Sequence, residues 1–364
     1  MRIAIDAMCA EYGGIRTYVE QLLVGWHAAH PEDEVHVFLR SGSEIAAPGL
    51  RRHELSVRRP DVLARPWTQS FAMTEAIRAL KPDAVLATAP TTGVRSFDSP
   101  LVVTIHDLRS ELRPEQFSRG RRLLRTVSYG RTYRLADAFV SVSQRSLDDL
   151  HRLHPRTRSL PGNVVHSGAD HVAAWPTPTR DGPAVTFAHH SNKNPALTVD
   201  AWALLVAAGA DVPNLLLLGV SASLRDALAA RIARHGLADR VELAPFLLDD
   251  DYRRRISRAA AVVFPSDFEG FGMPVVEGMA LGKPVVIGPD PAVLEVAGGH
   301  AVVMADWTAE ALADAVADAL ARTEADLQAA RVWAASFTWE RTIRQTRAAL
   351  AHAGSQQTRT SEWQ

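Results

Sequence analysis

Short β-branched runs alternate with longer stretches whose apolar positions recur at three and four along the whole chain. In the first half, strands are predicted near Arg2–Ala7, Glu34–Leu39, Ala84–Ala87, Leu101–Ile105, Ala138–Val142 and Asn163–His166. Helical stretches lie between them. Gly14–His30, for example, places Tyr18, Leu22, Leu23 and Trp26 on one face. The second half restarts the alternation at Ala184–Ala188. It continues through Asn214–Val220, Arg240–Leu243, Ala261–Phe264, Pro284–Ile287 and Ala301–Met304. Strands that alternate with helices and are apolar on both faces predict α/β units with parallel sheets. Two such series imply two similar domains, and the 364-residue length suits two domains better than one.

The segment Ala173–Pro183 contains Trp-Pro-Thr-Pro-Thr-Arg-Asp-Gly-Pro, whose prolines cannot sit inside a sheet. It is expected to be a linker, 173–183, between an N-terminal domain, 1–172, and a C-terminal domain, 184–337. A last helix, 338–353, follows a Phe-Thr-Trp turn, and the polar residues 354–364 are expected to be a disordered tail.

Charge narrows the function classes. Forty basic residues face 41 acidic ones, so no global field holds a nucleic-acid backbone, and no nucleic-acid partner is expected. Cys9 is the single cysteine, which excludes an intrachain disulfide framework and a cysteine-rich zinc site. No apolar run approaches the roughly 20 residues that cross a bilayer. The opening Met-Arg-Ile-Ala-Ile-Asp reads as a strand, not the core of a signal peptide, so a cytoplasmic location is expected.

Only three of the basic residues are lysines: Lys81, Lys193 and Lys283. Lys81 and Lys283 precede prolines at the ends of helical stretches, where no special role is needed. Lys193 stands in a polar turn after a strand. The helical run Arg119–Arg134 holds Arg119, Arg121, Arg122, Arg125, Arg131 and Arg134. A solvated helix face explains it, and contact with a phosphorylated or lipid-linked acceptor at a membrane surface is the functional alternative.

The most informative segment runs from Val262 to Val286: a buried strand, a glycine loop, a helix starting at Pro274 and another buried strand. Proline suits the first helical position. The amides of Phe271, Gly272 and Met273 would then sit at a helix N-terminus, which attracts anions. Gly270 and Gly272 allow a ligand close to the backbone. Glu269 and Glu277 lie eight residues apart near the carboxyl end of a strand, where open parallel sheets bind ligands. A first-turn glutamate is also favoured by the helix dipole alone, so Glu277 has a structural explanation too.

Phe264-Pro-Ser-x-x-Glu-Gly-Phe-Gly-x-Pro-x-x-Glu277 resembles the Glu-x7-Glu signature of family four glycosyltransferases, retaining enzymes with the GT-B fold. The resemblance extends over Gly13-Gly14, Thr104-Ile-His-Asp-Leu108, Val164-Val-His-Ser-Gly-Ala-Asp170, Lys193-Asn194 and Val241-Glu-Leu-Ala-Pro-Phe246. It implies two Rossmann-like domains facing each other across a cleft, with the final helix crossing back to the first. It implies a nucleoside-diphosphate sugar as donor, a hydroxyl-bearing acceptor, and transfer of a hexosyl group with retention.

By the same resemblance Glu277 would hold the ribose hydroxyls and Glu269 would lie at the transferred sugar. Lys193 would neutralise the departing diphosphate, and His106 would position the sugar. Gly14 would approach the donor phosphate, and the base would rest near Pro245–Leu247, including Phe246. The family usually places Gly-Arg after the strand that precedes Lys193. This chain has Ala188, His189 and His190 instead, so a protonated histidine, His190 among them, would have to supply the second cation. No Asp-x-Asp motif stands in a suitable loop, so no metal and no cofactor is expected beyond the donor itself. A nucleotide-sugar epimerase or phosphorylase of the same fold, or a binding protein without transfer, are the alternatives.

Overall fold

The computed structural model describes residues 1–11, 13–58 and 61–361. It divides into two compact units, Met1–Gly168 with Thr338–Gln364, and Ala169–Phe337. Each is built on a wholly parallel sheet.

Unit 1 contains β1 (Arg2–Asp6), β2 (Glu34–Arg40), β3 (Arg51–Leu55), β4 (Ala84–Ala87), β5 (Leu101–Ile105), β6 (Ala138–Ser141) and β7 (Gly162–Val164), in the order β3-β2-β1-β4-β5-β6-β7. Ile3, Ile5, Val85, Val102 and Val140 are fully buried, as expected of strands covered by helices on both faces. β3 was not predicted. Its Arg-Arg-His-Glu-Leu sequence carries no apolar run, yet it pairs in parallel register with β2, His36 opposite Arg51. The ring of His53 stacks on Phe38 at 4.8 Å, which gives this polar edge strand its attachment.

The helix Gly13–Ala29 buries Tyr18, Leu22, Leu23 and Trp26, the predicted face. It packs against the C-terminal helix Trp339–Ser361. Asp33, with no exposed side-chain surface, ties the two ends of this unit together. It accepts two bonds from Arg347 at 2.7 and 2.9 Å, one from the Met1 ammonium at 2.9 Å and one from the Trp26 indole at 3.3 Å.

Two predicted boundaries change. The tail expected to be disordered from residue 354 continues the helix to Ser361. Gly354 allows this, because a Cβ there would stand 3.2 Å from the Asp83 carbonyl. The proline-rich linker is instead fixed to unit 2. The amides of Thr179 and Gly182 donate to the carbonyls of Ser257 and Arg258, and the Lys283 ammonium donates to Thr179 and Ser257 carbonyls. Lys283 is therefore a buried clamp. Burial holds its ammonium down at a pKa of about 8.

Unit 2 contains β8 (Ala184–Phe187), β9 (Leu215–Leu218), β10 (Val241–Leu243), β11 (Val262–Phe264), β12 (Val285–Ile287) and β13 (Val302–Val303), in the order β10-β9-β8-β11-β12-β13. After β8 the chain passes to β9 on one side, and β11 later fills the other. The order thus reverses between β8 and β11, and the loops beyond the carboxyl ends of such neighbours form a crevice. Unit 1 has the equivalent reversal between β1 and β4.

Candidate functional site

The crevice of unit 2 is shaped first by a glycine. Beyond β11 the chain turns at Gly272, in left-handed conformation at φ 96°, and enters the helix Met273–Ala280 one residue earlier than predicted. A Cβ on Gly272 would lie 2.8 Å from Val293 Cγ1, so both conformation and space require glycine here. Inside the helix, Gly278 lets the backbone approach the sheet, since a Cβ would meet Val262 and Val285 methyls at 3.0 and 3.1 Å. Among the described residues the amides of Gly272 and Met273 donate to no protein acceptor, which leaves the helix N-terminus available to an anion. The Phe271 side chain is buried edge-on against Phe337, 6.1 Å between centroids, so only its backbone faces the loop.

Because β8 and β11 are neighbours, the loops after them meet. Lys193, at the end of the 3-10 turn Ser191–Lys193, donates to Glu269 Oε1 at 2.5 Å. The same oxygen accepts from the Ser266 hydroxyl and from Asn192 Nδ2 at 3.3 Å. Asn192 Nδ2 also donates to the Phe268 carbonyl at 2.9 Å, and the Asn192 carbonyl lies 3.0 Å from the Ser266 hydroxyl, whose one hydrogen goes to Glu269. The Lys193 ammonium sits over the Phe264 ring at 4.3 Å. Lys193 is 8% exposed, so although it stands in a polar turn it is not a solvated surface lysine. Glu269 and Lys193 form one unit, and Ser266 and Asn192, which sequence reasoning passed over, hold it.

Glu277 lies a turn further in, 4% exposed, with both oxygens engaged. His171 Nε2 donates to Oε1 at 3.2 Å, and the Tyr252 hydroxyl donates to Oε2 at 3.1 Å. Burial, and then the neighbouring Glu277 charge, push the Tyr252 phenol well above its usual range, so it stays a donor. Trp175 meets both His171 and Tyr252 edge-on, at 5.5 and 5.8 Å. This aromatic support for the carboxylate was not predicted. His171 is 106 residues away in sequence, and no local pattern marks it.

On the other side of the crevice, the ends of β8, β9 and β10 come together. A Cβ on Gly219 would lie 3.6 Å from His189 Cβ and 3.8 Å from Phe246 Cδ2. Phe246 is 67% exposed, an aromatic face without a protein cover. His189 and His190 stand ring to ring at 4.9 Å, His189 half-buried and His190 exposed. Ala188 is fully buried, so the chain offers no arginine at this strand end.

The remaining predicted residues belong to unit 1, at the carboxyl ends of β1, β4 and β5. His106 Nε2 bonds the Thr88 carbonyl at 2.8 Å. A carbonyl only accepts, so Nε2 carries the hydrogen. Burial holds the imidazole below its usual pKa, so Nδ1 keeps its lone pair. The ring stands edge-on to Tyr18 at 5.0 Å. Gly13, at φ 67°, and Gly14 open the first helix, and a Cβ on either would meet nothing within 4 Å. At the same sheet edge Asp6 is 3% exposed and accepts from the Met8 amide at 3.0 Å and Gln69 Nε2 at 2.8 Å. Burial outweighs these bonds and raises its pKa to about 6.

Both halves of this description match known families. Residues 13–165 match the glycosyl transferase 4-like domain, and residues 187–331 match the glycosyl transferases group 1. No curated protein matches the chain by sequence. Among solved structures, HepE of Anabaena, determined with UDP and glucose, superposes with a TM-score of 0.75 at 18% identity, covering 97% of this chain and 100% of its own. Sucrose-phosphate synthase of Thermosynechococcus elongatus gives 0.66 at 18% identity, covering 100% of this chain and 98% of its own. WaaG, a glycosyltransferase involved in lipopolysaccharide biosynthesis, gives 0.71 at 13% identity, covering 94% and 98%. At such identities the likeness to these structures is one of fold. With a 4-like domain on one parallel sheet and a group 1 domain on the other, the chain belongs to the GT-B glycosyltransferases.

Proposed function

We propose that the protein is a retaining hexosyltransferase that moves a sugar from a nucleoside diphosphate to a hydroxyl of a sugar, lipid-linked or small-molecule acceptor. The observation that carries this reading is the Lys193–Glu269 pair beside the open N-terminus of Met273–Ala280, at the reversal between β8 and β11. A cation and helix-end amides suit a diphosphate, and a carboxylate a few ångströms away suits the sugar. The UDP-glucose complex of HepE, a protein of the same fold, supports a nucleotide-sugar donor here.

In this reading unit 2 holds the donor and unit 1 the acceptor. The bond between the anomeric carbon and the phosphate oxygen breaks, with its electrons leaving on the diphosphate. Lys193 and the Gly272 and Met273 amides stabilise that growing charge. The acceptor oxygen bonds the same face of the carbon, and its proton passes to the departing phosphate oxygen. Glu269 stabilises positive character at the sugar, Glu277 holds the ribose hydroxyls, and His106 positions the sugar. Phe246 lies beside the base. Protein groups meet the diphosphate, so no metal is required and chelation leaves turnover unchanged. We place the enzyme in the cytoplasm, meeting the inner face of a membrane when its acceptor is lipid-linked. Among the described residues no helix is long and apolar enough to cross one.

The test is a thermal-shift screen of nucleoside-diphosphate sugars on the full chain. A donor at 100 times its dissociation constant stabilises by about 2.7 kcal/mol. The stabilising donor is then incubated with acceptor glycosides. Release of nucleoside diphosphate with a glycoside product is expected. Stabilisation by no donor refutes the reading, and an epimerised donor without transfer replaces it with an epimerase.

A further inference from the structure

The helix Arg119–Leu135 in unit 1 contains six arginines and no acidic residue. Among the described residues, none of the six pairs with a carboxylate. Elsewhere arginines are routinely paired, as in Arg52–Glu54, Arg78–Asp98, Arg258–Asp181 and Arg347–Asp33. The outward side of this helix is not simply charged. Leu123 is 68% exposed and Val127, one turn on, is 58% exposed. At 100° per residue, Arg119 and Arg134 fall on the same side as these two, one toward each end.

The apolar surface continues beyond the helix. Arg131 donates to the Val94 carbonyl at 3.0 Å, and Val94 is 45% exposed. The Val94 amide donates to Ser70 at 3.0 Å, next to the exposed Trp67–Phe71 pair, whose rings stand 4.3 Å apart. The Arg95 guanidinium lies 5.5 Å from the Phe71 ring centre and pairs with the exposed Glu75 at 3.2 Å. Among the described residues of unit 1, Val24 is the one large exposed apolar residue outside this surface. Exposed apolar patches with polar rims mark an interaction face.

We propose that this face docks the enzyme on an anionic lipid bilayer, with Arg119 and Arg134 on headgroup phosphates and Trp67, Leu123 and Val127 in the interfacial layer. Guanidinium groups match phosphate oxygens in bidentate fashion, and tryptophan and aliphatic side chains prefer the boundary between headgroups and acyl chains. A second copy of the chain is disfavoured, because a two-fold contact would set arginines against arginines. The proposal deepens the membrane contact of the proposed function. It is measured without donor or acceptor, so its failure is separate from failure of the transferase reading.

The experiment is co-sedimentation of the full chain with vesicles of phosphatidylcholine alone, or with about 30 mol % phosphatidylglycerol. Binding is expected to the anionic vesicles, at least tenfold weaker to the neutral ones, and lost at high salt. Each basic residue at such a surface contributes about 1 kcal/mol. The double variant R119Q/R134Q is therefore expected to bind on the order of 30-fold more weakly. The variant W67S/L123S is also expected to bind more weakly, with a smaller salt-independent component. These side chains are exposed, and an unchanged melting temperature and circular dichroism spectrum check that each variant is folded. The proposal is overturned if anionic vesicles are not bound, if neutral ones are bound equally, or if both variants bind like the parent. A dimer dissolved by W67S/L123S in light scattering also overturns it, assigning the face to a second copy.

Discussion

Replacing Glu269 with glutamine keeps the side chain's shape and removes its charge, and two opposite effects follow from its bond to Lys193. Without donor, the lysine ammonium is left beside Phe264 with no anion. Breaking a buried pair costs about 3–5 kcal/mol. Here the two side chains keep 10% and 13% of their surface in water, so about 1–3 kcal/mol of stability is the expected loss. A nucleoside diphosphate supplies the missing negative charge and no longer competes with Glu269 for Lys193. Its affinity should hold or rise, up to about tenfold, since relief of about 1.4 kcal/mol is a factor of ten. Turnover should move the other way, because the transition state loses a carboxylate aimed at the sugar. A preorganised group of this kind contributes 100- to 1000-fold, or about 3–4 kcal/mol. The assay is a set of three measurements on one variant: melting temperature without ligand, nucleoside diphosphate affinity by calorimetry, and turnover at saturating donor. A tenfold fall in affinity would refute the exchange of partners on Lys193. Turnover within a few-fold of the parent would leave Glu269 with a structural role alone.

Glu277→Ala should weaken nucleoside diphosphate binding by more than tenfold, and Tyr252→Phe, which frees one carboxylate oxygen, by less; calorimetry on both variants checks the ranking. If His189 or His190 supplies the second cation, turnover falls as pH rises through the usual histidine range, near 6.5. A flat profile from about pH 6 to 8.5 excludes both. Asp6 has a folded pKa of about 6 against 3.8 unfolded, so the folded state keeps a proton that the unfolded state has lost between those values. Its contribution to stability therefore falls as pH rises from about 4 to 6 and stays low above. Asp6→Asn should then be more stable than the parent by about 2–3 kcal/mol at pH 7.5, with the difference vanishing near pH 4. Urea unfolding at the two pH values measures it.

Strands such as Leu101–Ile105 were legible because every residue is buried, so the sequence shows an unbroken apolar run. β3 was not, because half of it faces water and its attachment is a histidine stacked on Phe38. The glycine loop and its two glutamates were legible because local backbone demands fix them: Gly272 at positive φ, then a helix opening with proline. What engages those glutamates was not legible. Glu269 meets Lys193 across 76 residues, and Glu277 meets His171 across 106, through strand order rather than local spacing. The linker and tail were misread for the same reason. Their prolines and polar residues suggest free chain, yet Lys283, Ser257 and Asp83 from distant segments hold or adjoin them.

The most direct test of the account follows the sugar itself as water takes the place of the acceptor. Hydrolysis of an α-linked nucleotide sugar by the full chain is monitored by proton NMR from the first minutes, before the released sugar mutarotates. Transfer assisted by the departing phosphate, with Lys193 and the helix-end amides on the diphosphate, predicts that the α anomer appears first. The β anomer appearing first would show attack from the opposite face, and would contradict both the retaining mechanism and the roles assigned to the Lys193–Glu269 pair.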